Sequence, residues 1–131
     1  MTQLPADKQP ALRVVPMPSD TNALGNIFGG WIMAQVDIAA SIPAFRRAGG
    51  RVVTVAVNSF TFKQPVFVGD VVSIYADVIR TGNTSLIVHV ECYSERLVHG
   101  EHTVVKVTEA ELTYVAIDEN YQPRVLTPID N

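Results

Sequence analysis

The 131-residue sequence contains a single cysteine, Cys92, so no disulfide forms within the chain and its stability has to come from buried apolar surface. A chain of this length buries such a core as one domain. Basic blocks are missing too, and with a formal net charge of −3 the chain has no electrostatic footprint for nucleic acid. No apolar run is long enough to span a bilayer, because Gln35 and Asp37 interrupt the best candidate. The N-terminus lacks the basic-then-apolar order of a signal peptide. His99 and His102 flank a turn and form no tight ligand pattern with Cys92, which argues against a metal site. Internal repeats and low-complexity segments are also absent. These gaps exclude a disulfide scaffold, a nucleic-acid binder and a transmembrane protein, and lead us to expect a cytoplasmic protein with neither nucleic-acid nor membrane partner.

The most informative stretch is residues 25–42 (GNIFGGWIMAQVDIAASI), where a glycine-bearing turn opens into the most apolar candidate helix. Apolar residues fall on every side of its 3.6-residue wheel, a pattern that predicts burial all round. Asp37 is its one ionisable side chain between Trp31 and Ile42. An unpaired carboxylate there costs several kcal/mol or takes up a proton. Two readings are open: Asp37 faces a wet edge or a partner arginine, or it is a carboxylate kept for acid/base or nucleophilic work.

The remaining chain packs around this helix. Residues 1–10 are polar and proline-bearing, and are expected to form a loose, flexible leader. Residues 11–17 (ALRVVPM) suit a short edge strand. A polar loop, residues 19–26, leads to the helix start at Gly29-Gly30. Pro43 is expected to kink the helix or close its regular part, and Arg46, Arg47 and the Gly49-Gly50 pair to finish it. Four strands follow, at residues 51–63, 71–80, 85–95 and 102–117, joined by short turns. In the third of these, Leu86, Val88, Val90 and Cys92 share one face. The last is long enough to predict a bulge or bend. Short turns between long strands mean antiparallel neighbours. The class is therefore α+β, with a curved five-stranded antiparallel sheet wrapped around one helix. One such sheet covers only one side of that helix, so the open side and the sheet edges call for a partner subunit.

Met17-Pro18-Ser19-Asp20-Thr21-Asn22, then Gly25-Asn26-Ile27-Phe28-Gly29-Gly30-Trp31-Ile32-Met33 and Gln35-Val36-Asp37, resemble the opening of bacterial hotdog-fold acyl-CoA thioesterases of the YciA type. The likeness continues through residues 50–57 (GRVVTVAV), 65–72 (PVFVGDVV) and 107–110 (VTEA), and covers roughly residues 12–125. It implies a hotdog fold in residues 11–125 as a single domain, followed by an extended tail, residues 126–131. It also implies hydrolysis of acyl-CoA to acid and CoA, no cofactor beyond the CoA of the substrate and product, and a homodimer often assembled into a trimer of dimers. Asp37 matches the family's catalytic carboxylate, and Asn22 and Gly30 match positions that hold the thioester and water. Three departures stand out. Asn83 follows the hairpin glycine where the family often has arginine, Lys63 is separated from Pro65 by Gln64, and the C-terminal extension is short.

The chemistry fits these residues. The first amides of the Gly29-Gly30-Trp31 turn are helix N–H groups without intrahelical partners, placed where negative charge is favoured, as an oxyanion hole requires. The competing reading is that the glycines only permit a tight turn. Asp37 serves as general base or as nucleophile. Asn22 can hold water or donate to the carbonyl, although an asparagine in a turn is commonly structural. Candidate substrate contacts are Phe28, Gly29 and Trp31 at the helix entry, Val57 and Asn58 on the following strand, and Thr84 and Ser85 at the hairpin. Trp31, Met33, Phe45, Phe60 and Phe62 suit an acyl pocket or the core equally well. His89, mid-strand, reads as a satisfied sheet residue. The other reading of the whole is a non-catalytic acyl-CoA binding or sensing module on the same fold.

Overall fold

The computed structural model describes residues 2–128. Its elements are β1 (Leu12–Val14), α1 (Gly29–Ala48), β2 (Val52–Phe62), β3 (Val71–Thr81), β4 (Ser85–Val98) and β5 (Glu101–Ala116), with one turn of 3-10 helix at Pro18–Asp20. The strands form a single antiparallel sheet in the order β1-β3-β4-β5-β2. This is the hotdog arrangement, with the sheet curved around α1.

Alternation decides which face meets the helix. Leu86, Val88, Val90 and Cys92 of β4 and Leu112, Tyr114 and Ala116 of β5 are buried toward α1. The helix answers with Ile32, Val36, Ala39, Ala40, Ala44 and Ala48. The four alanines let its backbone approach the sheet closely. The opposite side of α1 is not buried within one chain: Met33, Ile38 and Phe45 are 41%, 51% and 51% exposed. The wheel thus predicted more burial than one sheet supplies.

Pro43 lies inside α1 and does not end it. The helix loses one backbone bond there, while Ala40 and Ala44 on either side stay fixed against the sheet. It stops at Gly49, which takes the left-handed conformation (φ 69°) and donates its N–H to Phe45 O at 2.9 Å. Arg124 reaches back from the C-terminal segment to the Ala48 carbonyl, Nη2 to O 3.0 Å.

The bulge expected in the last strand lies at Val107, which has no partner in β4. Three more extra residues, Val55 and Asn58 in β2 and Ile79 in β3, had no sequence signal. Each bends its strand and tightens the sheet around the helix. β2 is an edge strand, and residues 54–59 are all exposed.

Residues 2–10 carry no helix or strand, yet Lys8 pairs with Asp77 on the sheet face opposite α1, Nζ to Oδ2 2.9 Å. At the other end, the Leu126 N–H donates to Asn83 O at 2.9 Å and its side chain is buried. Residues 1 and 129–131 of the expected leader and tail lie outside the described residues. No described helix is long and apolar enough to cross a membrane.

Candidate active site

The loop before α1 is folded by Asn22. Its Oδ1 accepts the backbone N–H groups of Leu24 (2.9 Å) and Asn26 (3.2 Å), and its own N–H donates to Asn26 O at 2.7 Å. Gly25 supplies the positive φ of 85° that the turn needs. Because two N–H groups point at Oδ1, the Nδ2 amino group is turned away from the loop, and it makes no hydrogen bond among the described residues. Asn22 is therefore structural through its oxygen and available through its nitrogen.

This loop delivers the chain to α1 without a side-chain cap, since the capping position is Phe28. Trp31 and Ile32 donate to Phe28 O at 3.1 and 3.3 Å, whereas the N–H groups of Gly29 and Gly30 find no partner among the described residues. The two glycines differ in surroundings. A Cβ on Gly29 would meet the half-exposed Phe62 ring at 3.2 Å, a tight contact that the ring would have to relieve by a small shift. A Cβ on Gly30 would meet nothing within 4 Å, so the fold of one chain does not demand glycine there. Asn22 and Gly29 line one open cleft of about 350 Å³ together with Asn26, Ile27, Phe62 and Pro65.

Asp37 lies two turns further along. Its Oδ1 accepts the Thr54 hydroxyl at 2.7 Å and the Tyr114 hydroxyl at 2.6 Å. Tyr114 OH also lies 2.8 Å from the Asp37 backbone carbonyl. Thr54 and Tyr114 are direct cross-strand partners of β2 and β5. The ladder thus presents two hydroxyls side by side to one carboxylate oxygen. Oδ2 makes no hydrogen bond among the described residues. Asp37 is half-buried, not enclosed, and it is not alone: the expectation of an unpaired carboxylate is corrected by these two donors. Burial first, then the bond to Asp37, holds the Tyr114 phenol well above its ordinary 10.0. It is a neutral donor throughout the physiological range.

Thr54 and Tyr114 were not anticipated as site residues. Tyr114 did leave a signal. It has inward parity among Leu112 and Ala116, and a buried phenol needs a hydrogen-bond partner. The polar side chain of the facing helix is the natural one.

Within one chain the structure brings Asn22 to the glycine turn, and Asp37 to Thr54 and Tyr114, as two separate clusters. The helical rise from Gly30 to Asp37 is roughly 10 Å. Phe28 is exposed beside the glycines and Trp31 packs half-buried against the core. Val57 and Asn58 lie on the exposed stretch of β2, where the Asn58 side chain bonds that of Thr113, Nδ2 to Oγ1 2.8 Å. Thr84 and Ser85 turn the β3–β4 hairpin, with Thr84 O accepting the Ala116 N–H at 2.9 Å. The histidines are elsewhere. His89 faces Glu91 and Glu109 at 3.6 and 3.7 Å, and His102 pairs with Glu95 at 2.9 Å. Among the described residues no group of three His, Cys, Asp or Glu side chains is arranged to hold a metal ion.

Known proteins resemble this chain in sequence and fold. The model of the Thioesterase superfamily matches residues 24–101. The acyl-CoA thioester hydrolase YciA of Escherichia coli (strain K12) is 47% identical over 118 residues, covering 88% of this chain and 88% of that one. A hexameric hotdog fold thioesterase of Campylobacter jejuni superposes with a TM-score of 0.89 at 42% identity, covering 92% of this chain and 91% of that one. The hexameric thioesterase of Yersinia pestis does so with 0.86 at 46% identity, covering 95% and 99%. With the helix, the sheet order and these likenesses together, the chain belongs to the thioesterase superfamily, in its hotdog-fold acyl-CoA thioester hydrolase branch.

Proposed function

We propose that the chain hydrolyses acyl-CoA thioesters to a free carboxylic acid and CoA, with Asp37 as the reacting carboxylate and no added cofactor. The observation that carries this reading is the Asp37 carboxylate itself. Among the described residues one oxygen is held by two hydroxyls and the other has no partner, on a helix whose first N–H groups are unpaired. A thioester carbonyl oxygen, as it gains negative charge, is stabilised by N–H groups such as those of Gly29 and Gly30. Asp37 Oδ2 either takes a proton from the attacking water or attacks the carbonyl carbon itself. On the first route the water oxygen bonds the carbonyl carbon, the C–S bond breaks, and the acid and CoA leave together. On the second the C–S bond breaks to leave a mixed anhydride on Asp37, which a water then hydrolyses to free acid and aspartate. On both the CoA sulfur takes a proton and leaves as the thiol. Gly30 supports the oxyanion role, because no contact within the chain explains its lack of a side chain.

The same reading makes the site a product of two copies. One helix places the glycine turn and Asp37 too far apart for a single thioester, since both must lie about 3 Å from the reacting atoms. Two α1 helices packed antiparallel about a two-fold axis bring each glycine turn, with Asn22, to the other copy's Asp37. The exposed apolar side of α1 and the open edge of β2 are the surfaces such a dimer would cover. The hexameric relatives agree with further assembly as a trimer of dimers.

The test is thiol release from CoA thioesters of increasing acyl length, followed with a disulfide reagent. Cys92 does not interfere: it is fully buried, and burial pushes its thiol up to about 12. The expected result is release of one CoA per acid formed, over many turnovers. Tight binding of every thioester with no thiol release would establish the binding module instead.

A further inference from the structure

We propose that Tyr114 is a positioning residue for Asp37, and that its hydroxyl makes Oδ2 the oxygen that meets the thioester. This rests on the reading of Asp37 as the reacting carboxylate. A carboxylate on a helix rotates about two side-chain torsions, and either oxygen can face the substrate unless something fixes it. Here Tyr114 reaches both ends of one residue, with its hydroxyl 2.6 Å from Asp37 Oδ1 and 2.8 Å from Asp37 O. A single donor shared between side chain and main chain of the same residue pins the torsions between them. Thr54 Oγ1, at 2.7 Å, takes the other lone-pair direction of Oδ1. With Oδ1 occupied twice, the unshared electron pairs of Oδ2 are the ones left for water or for a carbonyl carbon.

Tyr114 and Thr54 are not equivalent in this. Thr54 is exposed, so water takes the place of its hydroxyl when it is removed. Tyr114 is 1% exposed, so no water reaches the space its hydroxyl leaves. The phenol is also unsuited to be an acid or base in its own right. Burial keeps it protonated, and its proton is already directed at Asp37. Nor does packing explain the hydroxyl: the ring fills the core between Leu112 and Ala116, and phenylalanine fills the same space. What the oxygen adds is its contact with Asp37, beside Thr54.

The test uses Tyr114→Phe, Asp37→Asn and the double variant, with kcat and KM for one acyl-CoA and a melting curve for each. The expected result for Tyr114→Phe is a kcat lower by about ten- to a hundredfold, the range that loss of one bond to a charged group spans, with KM unchanged. The double variant is expected to be no slower than Asp37→Asn alone, because the tyrosine acts only through the carboxylate. A wild-type kcat in Tyr114→Phe, beside an inactive Asp37→Asn, overturns the proposal and leaves the functional reading standing. So does a double variant slower than Asp37→Asn by the full Tyr114→Phe factor. A wild-type kcat in Asp37→Asn removes the reading of Asp37 as the reacting carboxylate, and the proposal with it. Should Tyr114→Phe melt below the assay temperature, Asp37→Glu decides. It keeps a carboxylate but carries it one methylene past the two hydroxyls, so kcat falls at least as far; an undiminished kcat there overturns the proposal.

Discussion

Replacing Asp37 by asparagine should leave the protein about as stable as it was. The structure supplies the terms. An asparagine keeps an oxygen at the Oδ1 position, where it still accepts from Thr54 (2.7 Å) and Tyr114 (2.6 Å), and its amino group takes the place of Oδ2, which has no partner to lose among the described residues. Both surviving bonds change from charged to neutral, and each drops from about 1.5–3 to about 1 kcal/mol. Against this stands the cost of holding a half-buried carboxylate beside apolar side chains, also a few kcal/mol and now removed. The two nearly cancel, leaving a net change within about 1 kcal/mol, which for a domain of this size is a shift of about 3–5 °C in Tm. The assay is a thermal melt of wild type and variant at equal concentration, since dissociation of an oligomer would shift Tm by itself. A fall well beyond that range would show that the charge holds the fold together, and would refute the view that it is kept for chemistry.

Three other outcomes are expected. Gly30→Ala should fold with unchanged or higher stability, by up to about 1 kcal/mol from helix propensity, and lose most thioester hydrolysis, because a Cβ there meets no atom of its own chain; unimpaired turnover would remove the oxyanion assignment. Asn22→Ala and Asp37→Ala, each inactive, should regain up to roughly a quarter of wild-type activity when unfolded together and refolded, since random pairing gives each mixed dimer one intact site; no recovery in a mixture shown to contain mixed dimers would place the site within one chain. Stability should hold up to about pH 9 and fall above it. Burial raises Cys92 from 9.0 to about 12 in the fold and holds Tyr93 and Tyr114 above their ordinary 10.0. A group raised in the folded state contributes fully below its unfolded value and loses that contribution as pH climbs to its folded one. A urea midpoint that stays constant up to pH 11 would contradict this.

Much of the architecture was legible in the sequence because periodicity carries it. The parity of Leu86, Val88, Val90 and Cys92 and the apolar wheel of α1 gave the sheet and helix their facing surfaces. Of the two outcomes expected of Pro43, a kink or the end of the regular helix, the second does not occur, because Ala40 and Ala44 hold the helix against the sheet through it. The bulges at Val55, Asn58 and Ile79 left no mark, since they follow from curvature around the helix and not from local composition. Asp37 stood out as a carboxylate in an apolar helix and Gly30 as a glycine at its start, whereas Asn22, one polar residue of a polar loop, took its weight from the family resemblance. Thr54 did not, being one more β-branched residue in a strand, and its meaning arises only from its register opposite Tyr114.

The central claim is that Asp37 performs the hydrolysis, and the rate of CoA release by Asp37→Asn tests it most directly, once binding of the acyl-CoA and a melt like that of wild type have been verified on the same sample. The account predicts a variant that binds the thioester and releases CoA at least about a hundredfold more slowly, the scale of a lost acid–base or nucleophilic group. Release at the wild-type rate would contradict it.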